Sequence, residues 1–154
     1  MLHTGKKFEL LLVSWDVGDF SAIHDHGATA WGLVLPFGSL THRIFRFDAP
    51  LLKQVQKEQL IAGKLRPMHA DLIHQMGNPS SGRFMTLHIY GCNACEGEIT
   101  GDAKNYELEF DRVNHTTGGA FFNLPADSIY DFKPSPTPTK EVFLNYSKLL
   151  LDYY

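Results

Sequence analysis

The sequence predicts an all-β barrel followed by a single C-terminal helix, and three observations lead there. Short segments of β-type composition recur at close spacing, each bounded by Gly, Pro, Asp or Asn. No sustained helical period occurs before residue 135, apart from a short stretch near "APLLKQVQKEQ". Beyond the proline-rich "KPSPTPTKE", the apolar residues switch to a helical period.

The expected strands are "KFELLLVSWDV", "AWGLVLPF", "SLTHRIFRFD", "LIHQMGN" and "FMTLHIYG". This many short strands with turn signals between them reads as a sandwich or small barrel. Past the proline-rich stretch, Val142, Tyr146, Leu149, Leu150 and Tyr153 share one helical face. Thr137 and Pro138 are the expected N-cap and first-turn pair. The division expected is a barrel over 1–132, then a linker and amphipathic helix over 133–154 that packs on the barrel or on a partner.

Composition narrows the function classes. With 154 residues the chain suits one domain with a single core. Apolar residues make up 44% and charged residues 20%, as in ordinary globular proteins. A formal charge of −3 gives no basic footprint for nucleic acid. No apolar run approaches bilayer length, so no membrane partner is expected. Glu9 and Asp16 flank the N-terminal apolar run and no small-residue cleavage site follows, so no signal peptide is expected. Two cysteines, Cys92 and Cys95, are too few for a disulfide framework. They read as loop thiols, and the expected location is the reducing cytoplasm. The terminal "LLLDYY" leaves monomer and homodimer both open.

The chemistry concentrates in two spaced motifs. The first runs from Gly18 through His24, Asp25 and His26 to Trp31 and Gly38; the second from Gly63 through His69, Asp71 and His74 to Asn78. His24 and His26 are two apart, so on an extended chain they face the same way. His74 arrives from a distant strand. Three imidazoles converging in a barrel suit Fe(II), Zn, Ni or Cu. A lone histidine would carry little weight; three in register between paired glycines carry more. His42, His69 and His115 are read as non-ligands. A second line comes from "FMTLHIYG", where Thr86, His88 and Tyr90 alternate with apolar residues. A hydroxyl, an imidazole and a phenol in a row form a natural hydrogen-bonded relay.

The two spaced motifs resemble the signature motifs of the cupin superfamily, over roughly residues 8 to 92. Trp15 nine residues before His24, "HDH", His74 with Asn78, and Thr86-x-His88-x-Tyr90 together look like thiol dioxygenases of the cysteine dioxygenase type. That resemblance implies a cupin (double-stranded β-helix, or jelly-roll) barrel. It implies Fe(II) on His24, His26 and His74, with Zn or Ni possible as purified, and a relay of Thr86, His88 and Tyr90. Trp15 matches the family's pocket tryptophan, and Trp31 is expected beside it as a second apolar wall. The implied reaction turns a small thiol into a sulfinic acid with O₂. Trp31 stands where most cupins place a glutamate ligand, and an indole cannot ligate a metal. The family's substrate-gripping arginine belongs to a segment ahead of the barrel, which this chain is expected to begin too late to hold. Arg43, Arg46 and Arg66 lie elsewhere, so the substrate is open to thiols lacking a carboxylate. Two other readings stay open: a cupin metalloenzyme acting on a non-thiol small molecule, and a non-catalytic metal-binding cupin.

Overall fold

The computed structural model describes residues 1–93 and 98–154. Among these residues, thirteen strands form two facing sheets. They are β1 (His3–Thr4), β2 (Phe8–Trp15), β3 (Ile23–His24), β4 (Trp31–Pro36), β5 (Leu40–Asp48), β6 (Leu51–Leu60), β7 (Arg66–His69), β8 (Ile73–Gly77), β9 (Phe84–Gly91), β10 (Ala103–Glu107), β11 (Arg112–Thr116), β12 (Ile129–Pro134) and β13 (Thr137–Pro138). One sheet has the order β1-β2-β9-β4-β7 and the other β12-β11-β10-β3-β8-β5-β6-β13. With the helix α1 (Lys140–Tyr153), this is the strand-rich barrel with one C-terminal helix that the sequence predicts.

Alternation decides what fills the interior. On β2, Trp15 is buried while its neighbour Ser14 is exposed; on β9, Thr86, His88 and Tyr90 are buried. Trp15 and Tyr90 meet Val34, Leu40, Leu60, Met68, Met76 and Ile99 in one apolar cluster between the sheets. A second cluster lies on the outer face of the eight-stranded sheet, where Ile23, Phe45, Tyr106 and Val113 pack with Val142 and Tyr146 of α1. The helix therefore covers the barrel, using the face that the 3.6-residue period marks. Tyr153, expected on that face, stays 48% exposed, with its ring against Phe122. Gly18 and Gly63 hold φ of +86° and +77°, the left-handed turns for which the two motifs need glycine.

Three expectations need correction. "APLLKQVQKEQ" is not helical: β6 pairs along its length with β5, from Leu40↔Leu60 to Asp48↔Leu51. Its Lys, Gln and Glu residues favour helix locally, but the hairpin buries Leu52 and Leu60, and tertiary pairing overrides propensity. The proline-rich stretch is not a free linker. It supplies the end of β12 and all of β13, which runs parallel to β6. The N-cap is Thr139, not Thr137: Thr137 and Pro138 are taken up by that pairing, and the Thr139 hydroxyl accepts from the Val142 amide. Among the described residues, no helix is long and apolar enough to cross a membrane.

Candidate metal centre

The eight-stranded sheet builds one wall of the site. His24 on β3 pairs directly with His74 on β8, and His26 follows two residues after His24. All three are buried, with His74 fully so. The Nε2 of His74 lies 3.1 Å from that of His24 and 3.0 Å from that of His26. No other group of three or more His, Cys, Asp or Glu side chains among the described residues comes together in this way.

The tautomer of His24 is fixed from outside the cluster. Its Nδ1–H donates to the Ala22 carbonyl at 3.0 Å, which leaves Nε2 bare. Burial lowers the pKa of His24, pushes that of His26 down to about 2 and takes that of His74 well below the usual histidine value. Three neutral rings thus crowd together with a lone pair in the gap, an arrangement that a cation relieves. A divalent transition metal would be held by one ring nitrogen from each of His24, His26 and His74. The donor set fits a divalent transition metal.

The five-stranded sheet builds the opposite wall. The Trp15 indole N–H donates to Thr86 Oγ1 at 2.8 Å. Thr86 Oγ1 lies 2.7 Å from His88 Nε2, and His88 Nδ1 lies 2.9 Å from the Tyr90 hydroxyl. The indole can only donate, so the threonine oxygen accepts there; the buried threonine hydrogen has no other acceptor among the described residues than His88 Nε2, and turns to it. His88 then carries its hydrogen on Nδ1 and donates to Tyr90. The Tyr90 O–H remains free to donate into the cavity that Tyr90 lines. Burial pushes the His88 pKa down to about 3, which keeps it neutral, and pushes that of the Tyr90 phenol up, which keeps its hydrogen in place.

Both walls enclose a cavity of about 60 Å³, lined by Trp15, His24, His26, His88, Tyr90, Phe121 and smaller residues. The described lining contains no lysine or arginine. Asp25 lies at its edge, held by the Lys104 ammonium at 3.2 Å. A glycine shapes the wall. A Cβ on Gly32 would sit 2.8 Å from the Tyr90 ring, so glycine there lets the phenol lie flat inside. Asn78 is fully buried and donates to the carbonyls of Trp15, Asp16 and Gly82. It ties the end of β2 to the turn before β9 and so holds the two strands that carry the relay.

The structure thus brings together His24, His26 and His74, and beside them Trp15, Thr86, His88 and Tyr90. Trp31 it does not. Its side chain faces outward on β4, 39% exposed, with its ring packed over Gly91. It is neither a pocket wall nor a barrel filler. Cys92 is disulfide-bonded rather than a loop thiol, while Cys95 lies outside the described residues. Arg43 and Arg66 are engaged elsewhere, with Gln75 and Glu58. His42, read as a non-ligand, stands behind His74 in full burial. The signal for it was a histidine between Leu40 and Ile44 on an apolar strand face; Phe121 belongs to the aromatic-rich "FFNLPADSIYDF", whose composition reads as a cover for the barrel's outer face, yet it lines the cavity.

No family profile matches the chain. Solved structures resemble its layout. A double-stranded β-helix protein from Klebsiella pneumoniae subsp. pneumoniae MGH 78578 is 12% identical, with a TM-score of 0.49 over 58% of this chain and 71% of that one. A Cupin 2 conserved barrel domain protein from Salinispora arenicola CNS-205 is 14% identical, with a TM-score of 0.45 over 60% and 69%. The Mn(II)-containing oxalate decarboxylase of Bacillus subtilis is 17% identical, with a TM-score of 0.48 over 59% of this chain and 23% of that one. These are likenesses of barrel layout, and the chemistry of the site rests on its own residues.

Proposed function

We propose that the protein is a non-haem Fe(II) thiol dioxygenase that converts a small thiol to a sulfinic acid. One observation carries this reading: three converging imidazoles face a hydrogen-bond chain that ends in a fixed phenol donor. A binding module has no use for a polarised chain running from Trp15 to the Tyr90 hydroxyl. The reaction balances as RSH + O₂ → RSO₂⁻ + H⁺: both oxygen atoms go to sulfur, which gives up four electrons, and the thiol proton is released.

His24, His26 and His74 would hold the metal, which supplies thiol deprotonation and a site for O₂. The chain's own residues do the rest. The Tyr90 O–H donates toward oxygen or sulfur as negative charge develops there. His88 and Thr86 hold that hydroxyl at a fixed angle, and Trp15 sets the direction of the chain. Leu11, Val13 and Phe121 give the cavity an apolar lining. With no cation in the described lining, a thiol without a carboxylate fits better than an amino acid.

Anaerobically Fe(II)-loaded protein is mixed with cysteamine, cysteine or 3-mercaptopropionate, and O₂ uptake and sulfinate are followed together. Uptake matched by sulfinate, greatest with cysteamine, is the expected result. Bound iron with no uptake on any thiol would sink the thiol reading and point to a metalloenzyme with a different small-molecule substrate. Failure to hold any metal would leave a binding protein.

A further inference from the structure

Behind His74 a second line of polar groups runs outward through the wall of the barrel. His74 Nδ1 lies 2.8 Å from His42 Nε2, and His42 Nδ1 lies 2.9 Å from Glu58 Oε1. The same carboxylate oxygen forms an ion pair with the Arg66 guanidinium at 2.8 Å. Register explains the alignment. His42 and Glu58 are directly opposed across the β5–β6 hairpin, and β5 also pairs with β8, where Ile44 opposes His74. His42 has no exposed surface, Glu58 is about a quarter exposed, and Arg66 reaches solvent.

The hydrogens in this line can run only one way. An ionised carboxylate only accepts, so Glu58 requires the His42 hydrogen on Nδ1. The neutral His42 ring then has a bare Nε2, which accepts from His74 Nδ1–H. His74 is left with a bare Nε2, the atom that points at His24 and His26. The three ring positions differ in this respect. His24 is fixed by a neutral carbonyl, His74 is backed by an anion through a second ring, and His26 Nδ1 has no hydrogen-bond partner among the described residues.

We propose that His42 and Glu58, steadied by Arg66, are positioning residues that lock His74 in its ligating tautomer and make it the strongest donor of the three. Partial transfer of negative charge along a carboxylate–imidazole–imidazole line raises the basicity of the last nitrogen. The ion pair with Arg66 holds the Glu58 carboxylate against His42. The inference rests on the metal-centre reading above, but it needs no assumption about the thiol or O₂.

The test measures metal affinity rather than turnover. Co(II) and Fe(II) are competed against a chromophoric chelator on wild-type protein, Glu58→Gln, His42→Gln and His42→Phe, and each metal-free protein is melted in parallel. Glu58→Gln keeps the shape and removes the charge, and a roughly 10-fold loss of affinity is expected. His42→Phe removes the acceptor for His74 and should approach about 100-fold. His42→Gln restores an acceptor carbonyl at the right reach and should fall between them. For Glu58→Gln, the metal-free melting temperature should stay within about 2 °C of wild type, as for a partly exposed substitution. Affinities of Glu58→Gln and His42→Phe within twofold of wild type would overturn the proposal. A lowered melting temperature for Glu58→Gln with unchanged affinity would do the same, since it shows a structural ion pair only. If His42→Phe fails to fold, Glu58→Gln decides alone. Wild-type protein that takes up neither metal removes the metal centre itself, a failure distinct from equal affinities.

Discussion

From the eight-stranded sheet, His24 and His74 turn bare ring nitrogens toward the cavity; from the five-stranded sheet, Tyr90 turns a hydroxyl hydrogen toward it. The two lines use the same residue type in opposite ways. His74 is held so that it offers an electron pair, while His88, equally buried and neutral, is held so that its hydrogen is spent on Tyr90. What sets them apart is the partner at the far end of each line. A carboxylate behind His74 can only accept, and an indole behind His88 can only donate. Burial supplies neutrality to both, and the partner then decides which nitrogen carries the hydrogen.

The largest effect expected on this contrast is from His74→Ala. It removes the nitrogen nearest both other ligands and should weaken metal binding by more than about 100-fold, beyond the loss of an outer partner. Metal analysis after dialysis against a weak chelator reads the result. Retained metal would move the centre elsewhere.

Acid should come next. The pKa values of His26, His74 and His88 are all lowered in the fold, mainly by burial. The unfolded chain takes up protons from about pH 6.5 downward, whereas the native rings stay neutral. The stability they confer is therefore full above pH 6.5 and lost as pH falls below it. One unit below, each ring costs about 1.4 kcal/mol, or about 4 kcal/mol for the three. Urea melts of metal-free protein at pH 7.5 and 5.5 measure this, and a midpoint that does not move would mean that the rings are charged in the native state.

Tyr90→Phe should keep the metal and slow turnover by about 100-fold, the usual cost of one donor to developing charge. Equal loss of metal in this variant would erase the distinction between the two walls. Thr86→Val should cost about 1–3 kcal/mol, because it strands the Trp15 N–H and His88 Nε2 in the interior, and it should slow turnover less than Tyr90→Phe. Trp31→Ala should change neither metal content nor turnover, since its ring packs on the outer face over Gly91. A large drop there would return Trp31 to the cavity.

Much of the site was legible in the sequence. Period-2 alternation is local, so Thr86, His88 and Tyr90 had to share a face, and His24 and His26 had to lie together. Their burial and mutual distances then followed from the barrel. The misread residues have a common cause. On β4, Trp31, Leu33 and Leu35 alternate with Gly32, Val34 and Pro36, and both sets are apolar. Hydrophobicity alone therefore did not say which set faces in. The same ambiguity hid β6, whose composition reads as helix until β5 is beside it.

By itself, the sequence determined the strand-rich barrel, the C-terminal helical face, the three clustered histidines and the order of the relay, because each depends on spacing along one strand or helix. Only the tertiary structure decided which face of each strand is the inside, that Trp31 is excluded while Trp15 is included, and that Glu58 stands behind His42 and His42 behind His74. Those facts depend on register between strands far apart in the chain. Cross-strand pairing sets that register, and local residue patterns do not encode it.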